Sequence, residues 1–189
     1  DAGLIASDSA FSIHALSGYS GGGRSLIDRW EDPQRGLLQL PHEAPYSLSK
    51  RHKHIPEIMR YARLSIEPQF LPAVGPFRCG MRVQVTMPAR AIAKSGTGKA
   101  IWETLAARYK NEAFVEVEPL TDPSEDDEFT FDPQAHNNTN RISLRVLSHA
   151  SGHVVLMARL DNLGKGAAGV AIQCLNLMLG VPEETGLPR

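Results

Sequence analysis

Cysteine is nearly missing from this sequence. Two thiols in 189 residues cannot form a disulfide framework, and Cys79 and Cys174 lack metal-ligand spacing, which argues against a secreted scaffold and a zinc site; no metal is expected. A reducing, cytoplasmic setting fits this usage. A strong charge of either sign is also absent, because 20 Lys and Arg face 21 Asp and Glu. The long-range positive field that holds a polynucleotide is therefore lacking, and no nucleic-acid partner is expected. No apolar run approaches the roughly 20 residues of a membrane span, and the N-terminus carries no charged-then-apolar leader, so no membrane role is expected either. The chain opens on "DAGLIASDSA", without a methionine. It reads as a fragment entered in mid-sequence.

What is present is a globular composition, 42% hydrophobic and 22% charged, enough for one large domain or a domain and a half. "FSIHAL" (Phe11 to Leu16) alternates as a strand does. "RSLIDRW" reads as a short helix ending near Asp32 and Pro33, and the proline-bearing stretch 33–50 reads as loop. Ile55 to Arg63 reads as helix. "IEPQFLPAV" and "MRVQVTMP" read as strands, the first an edge or irregular one because of Pro68 and Pro72. Thr97 is placed to cap "GKAIWETLAARYK", in which Ile101, Leu105 and Tyr109 share one face. "AFVEVEPL" reads as a strand and the acidic "DPSEDDEF" as a solvated loop. "RISLRVLSH" and "HVVLMARLD" form a hairpin across "ASG". "GKGAAGVAIQCLNLMLG" closes the chain as a packed helix stopped by Gly180. The expected fold is α+β, a predominantly antiparallel sheet covered by helices. A glycine fingerprint after a first strand and alternating βαβ units are missing, so no Rossmann half is expected within the chain.

Three stretches carry chemistry. In "LSKRHKHIPEI", His52 and His54 are two residues apart, so an extended backbone turns both rings to one side. Pro56 and Glu57 suit the first turn of the following helix. The same run is basic enough to be a solvated face; as chemistry, the imidazoles suit acid–base work near neutral pH. "SGYSGGGR" offers glycine backbone, the hydroxyls of Ser17 and Ser20, and the cation of Arg24 to an anion, or is a surface loop. Its Gly18-Tyr19-Ser20-Gly21-Gly22 is not the G-x-S-x-G elbow of a serine hydrolase. "NLGKGAAG" offers N–H donors and Lys165 at a helix start, or the tight packing of a small-residue helix.

Together, "HALSGYSGGGR", "KHIPEI", "PAVGPFRCGM" and "DNLGKGAAGVAIQCLNLMLG" resemble, in order and wording, the shorter-chain branch of the N-acetyl-γ-glutamyl-phosphate reductases, and the likeness spans essentially the whole chain. The resemblance implies an NADP-dependent oxidoreductase of arginine biosynthesis that reduces an acyl phosphate to its semialdehyde through a cysteine thioester. It also implies a C-terminal fold similar to that of glyceraldehyde-3-phosphate dehydrogenase. The family's nucleophile sits in a Pro-Gly-Cys-aromatic-x-Thr segment that this chain lacks, and neither Cys79 nor Cys174 has that setting. By the resemblance, His52 and His54 are catalytic, with their individual roles left open. Ser17, Gly18, Tyr19, Ser20, Arg24 and Glu57 then bind substrate, and Gly164, Lys165 and Gly166 meet a cofactor held mainly by a Rossmann domain outside this chain. Residues 1–163 are expected to bind substrate and form a homo-oligomer, and residues 164–189 to pack on that missing domain. The alternative is a non-catalytic fragment that only self-associates or binds.

Overall fold

A computed structural model describes residues 2–93, 96–121 and 131–189. The acidic stretch read as a solvated loop lies outside the described residues, apart from its neighbours on either side. The strands are β1 (Ser12–Gly18), β2 (Ala44–Pro45), β3 (Gln69–Gly75), β4 (Met81–Met87), β5 (Val115–Val117), β6 (Ile142–Ser148) and β7 (Val154–Leu160). The helices are α1 (Arg24–Glu31), α2 (Ile55–Tyr61), α3 (Gly98–Tyr109) and α4 (Gly169–Leu179). The strands make one sheet in the order β2-β3-β1-β4-β7-β6-β5.

The α+β reading holds, with one correction: the sheet is mixed. β1 runs parallel to β3, and β5 parallel to β6, while the other ladders are antiparallel. Alternation in sequence reports a strand's faces and not its direction. The long connection through α1 and α2 is what lets the chain return parallel to β1. β3 lies next to the short edge strand β2, and Pro72 is tolerated there for a visible reason. Its carbonyl accepts the Tyr46 N–H at 3.0 Å, so the N–H that proline lacks would have faced this nearly open edge.

Register separates two faces. Ile13, Val85, Leu156 and Val146 stand side by side across four strands, whereas His14, Gln84, Met157 and Arg145 form the corresponding row behind them. Helix α3 covers the apolar face. Its Ile101 is buried with Phe11, Met87, Ala91, Val146 and Val154, while Thr97 Oγ1 accepts the Ala100 N–H at 3.1 Å and caps the helix. Gly98 permits the approach: a Cβ there would fall 1.6 Å from Ser148 Oγ. A second cluster joins Tyr19, Trp30 and Val74, with the two rings stacked 5.7 Å apart. On the polar face Glu118 meets Arg159 at 2.5 Å and Arg145 at 3.4 Å. Burial alone would raise the Glu118 pKa, but the Arg159 hydrogen bond and both guanidinium charges hold it below its usual value.

The closing helix differs from the expectation in two ways. Residues Gly164–Ala168 form a wider π turn before α4 begins. Cys174, expected on a packed helix, is exposed. Gly180 ends α4 in the left-handed conformation, as read from sequence.

Candidate functional site

The histidine pair sits where the chain enters α2. The Ile55 N–H donates to the His52 carbonyl at 3.0 Å, and Ile55 is buried, which pins the segment. Pro56 and Glu57 occupy the first turn of α2; Glu57 is exposed. The two imidazoles meet edge to face with centroids 4.9 Å apart, and the Phe70 ring centroid also lies 4.9 Å from that of His52. The His54 backbone N–H donates to His52 Nδ1 at 3.3 Å. A neutral His52 therefore carries its proton on Nε2, which lies 3.4 Å from Tyr46 Oη. Burial, and then the charges of His54 and Lys53, push the His52 pKa below the usual histidine value. His52 is thus held neutral. Burial raises the Tyr46 pKa, so its phenol stays protonated. The His54 ring is exposed.

Ser17 and Phe70 share a sheet face, since Phe70 and Val74 are four residues apart on β3 and Val74 pairs with Ser17. Phe70 and Val74 are about 13 Å apart along β3, so the histidines lie toward one end of this row and the glycine turn toward the other. After Gly18 the stretch Tyr19–Gly22 tightens into a 3₁₀ turn. Gly18 is buried against the 78–79 peptide, where an added Cβ would lie 2.4 Å from the Arg78 oxygen. Tyr19 Oη donates to Glu31 at 3.1 Å, and Ser20 Oγ donates to the Arg78 carbonyl at 2.6 Å, so both residues hold the turn together. Arg24 is exposed and paired with Asp28 at 2.9 Å. Arg24 and the exposed Gly21 to Gly23 backbone are what this turn presents outward, with Ser17 half-buried beside them and its hydroxyl donating to the Gly18 carbonyl at 3.1 Å.

The second glycine stretch is built differently from the sequence expectation. Two of its N–H groups are engaged: Gly166 donates to the Asp161 carbonyl and Ala168 to the Leu163 carbonyl, each at 2.9 Å. Lys165 turns inward, its Nζ 2.6 Å from Gln173 Oε1 and 5.5 Å from the Phe114 ring centroid. Burial lowers its pKa. These engaged groups are not free to hold a phosphate, while Gly166, Ala167 and Ala168 are exposed and carry nothing beyond a Cβ.

A family model described as "Semialdehyde dehydrogenase, dimerisation domain" matches residues 1–162. The chain belongs to this family. The dimerisation domain is 42% identical over 190 residues to N-acetyl-gamma-glutamyl-phosphate reductase 2 of Nostoc sp., covering 98% of this chain and 59% of that protein. It is 43% identical over 180 residues to the N-acetyl-gamma-glutamyl-phosphate reductase of Burkholderia orbicola, covering 95% of this chain and 56% of that protein. It thus spans less than two thirds of these relatives. Aspartate semialdehyde dehydrogenase from Francisella tularensis shares its fold at TM-score 0.64 and 15% identity, over 93% of this chain and 58% of that one. The Vibrio cholerae aspartate semialdehyde dehydrogenase II complexed with ASA does so at TM-score 0.60 and 15% identity, over 90% of this chain and 55% of that one. Among the described residues of the dimerisation domain, no helix is long and apolar enough to cross a membrane. Sequence pattern alone gives no sign of Tyr46, which meets His52 only through the fold. Phe70 was accessible in principle, because strand alternation sets it on the apolar face.

Proposed function

We propose that this dimerisation domain is the substrate-side part of an NADPH-dependent reductase. The reaction converts N-acetyl-γ-glutamyl phosphate to its semialdehyde, with release of phosphate, in cytoplasmic arginine biosynthesis. The observation that carries this reading is the 42% identity, over 98% of the chain, to a reductase of that name. Residues 1–163 bind substrate and self-associate, and residues 164–189 pack on a nucleotide-binding domain outside this chain. Replacing phosphate by hydride at an acyl carbon leaves a proton to be managed at the oxygen and another at the attacking group. His52 and His54 share that work: His52 is held neutral and takes a proton at Nδ1 by giving up the His54 N–H, and His54 exposes its ring beside it. Ser17, Arg24 and the Gly21 to Gly23 backbone face the phosphate or carboxylate of the substrate, while Gly18, Tyr19 and Ser20 give that turn its shape. Glu57 stands at the histidine end of the same substrate site. NADPH supplies the hydride when bound. Gly166, Ala167 and Ala168 present it with the small-residue surface before α4, with Gly164 packed close to Thr139 and Lys165 fixing that surface through Gln173.

The test uses the full-length protein that contains these residues. His52→Ala or His54→Ala should lower acyl-phosphate-dependent NADPH oxidation by about 10² or more; near-normal turnover in both variants would remove the histidines from the chemistry. The 189-residue chain alone should show no such turnover. The acid limb of the rate profile should fall below pH 6.5, because a depressed pKa keeps the base neutral until lower pH. His54→Gln should move that limb upward by removing a nearby positive charge. A second reading, a self-associating or binding module without catalysis, is favoured by the exposed apolar surface of α4. Substrate-dependent turnover by the full-length protein would end it.

A further inference from the structure

Asn162 joins the two glycine-rich turns. It is 7% exposed, yet it belongs to neither turn. Its Oδ1 accepts the Gly80 N–H at 2.8 Å, and its Nδ2 donates to Ser20 Oγ at 3.1 Å. The orientation of the amide follows from its partners. Gly80 N–H can only donate, so oxygen must face it, and the Ser20 hydroxyl hydrogen is engaged with the Arg78 carbonyl at 2.6 Å, so Ser20 Oγ can accept. The result is a directed chain of hydrogen bonds from Asn162 through Ser20 to Arg78, in which each bond polarises the next. The main chain ties the first of these turns to the 77–80 turn that Asn162 also holds, from Gly18 N–H to Gly80 O at 2.8 Å, Tyr19 N–H to Phe77 O at 3.0 Å, and Ser20 N–H to Arg78 O at 3.1 Å. Packing leaves no slack. A Cβ on Gly21 would lie 3.1 Å from both Asn162 Nδ2 and Ser17 Oγ. On the other side, Asp161 accepts the N–H groups of Asn138 and Leu163 at 2.9 and 2.8 Å, which fixes the entry to the π turn.

We infer that Asn162 is a positioning residue: it fixes the substrate-side turn Ser17 to Gly23 relative to the small-residue turn Gly164 to Ala168, acting through Ser20. This rests on the reductase reading for its kinetic consequence and on geometry alone for the clasp. In Asn162→Asp the shape and the acceptor for Gly80 remain, but a carboxylate oxygen replaces the donor and faces the lone pairs of Ser20.

In the full-length protein, N162D should raise the KM for N-acetyl-γ-glutamyl phosphate about tenfold, the scale of one lost buried hydrogen bond, with kcat changed less than about threefold. A merely structural role would reduce the active fraction, and so apparent kcat, at unchanged KM. S20A should raise KM similarly, and the double variant should be no worse than the worse single one. Amide exchange at residues 18–22 and 78–80 should quicken in N162D, while the β6–β7 amides stay protected. Unchanged KM, multiplicative effects in the double variant, or unchanged exchange at 18–22 would each overturn the inference. If N162D does not fold, N162S removes both arms without adding charge and is judged by the same measurements. A wild-type protein without reductase activity would refute the proposed function instead, and the exchange experiment would still decide the clasp.

Discussion

Helices α3 and α4 are of similar length and both are rich in apolar residues, but they bury opposite things. α3 places Ile101 in the core at 4% exposure. α4 buries Asn176, whose amide donates to the carbonyls of Glu183 and Thr185 at 3.0 and 2.9 Å, and it exposes Val170, Ile172, Leu175, Leu177, Met178 and Leu179. Met178 reaches 83% exposure. The C-terminal tail folds over the polar residue and leaves the apolar ones outside. Isolated surface leucines are ordinary, but a whole helix face of them is a binding surface or an aggregation hazard. The difference teaches that the hydrophobicity of a helix says how much of it wants covering, while its environment decides what does the covering.

The contrast can be broken or sharpened by substitution in the isolated chain. Ile101→Ala should cost about 2–5 kcal/mol in chemical denaturation, by lost burial and a cavity against β6; a cost under about 1 kcal/mol would mean that α3 is not the core helix. Thr97→Ala should cost about 1 kcal/mol, because it frees the Ala100 N–H. Removing a side chain at the start of α4 should show no such cap effect, since no side chain caps it. Leu177→Ala should change stability by no more than about 0.5 kcal/mol, as exposed positions do. Charged residues at Leu177 and Met178 should instead lower light scattering of the isolated chain; unchanged scattering would mean that this face is not sticky.

Much of the fold was legible because local rules suffice for it. Thr97 had to cap a helix, Gly180 had to end one, and the hairpin across Ala150 to Gly152 follows from two β-rich runs and a glycine, which adopts φ +83°. Strand direction was not legible, since β1 pairs with β3 over a long loop and alternation is blind to polarity. In the site, His52 and His54 do meet, but through a turn rather than the extended backbone read from their spacing: His54 is in the α region at the entry to α2. The inward turn of Lys165 did not, because it depends on Gln173 and Phe114, which only the fold brings near. The glycines before α4 were open to two readings. The structure gives a packing reason for Gly164 and Gly169, which meet Thr139 O at 2.6 Å and Asn140 Oδ1 at 2.2 Å from an added Cβ.

The mixed ladder also sets an order of assembly. β6 and β7 register seven residues against seven across a turn closed by His149 N–H to His153 O at 2.9 Å. β1 meets β3 only after about fifty intervening residues have been gathered. Closing the short loop costs far less chain entropy, so the hairpin is expected to form early and the parallel pairing late. In a chevron experiment, Gly152→Val, which strains the left-handed turn, should mainly slow folding, whereas Ala73→Gly in β3 should mainly hasten unfolding. The β2–β3 side of the finished sheet is thus its last part to be built, and a chain stalled on the way displays β1, paired with β4 alone, as an open edge.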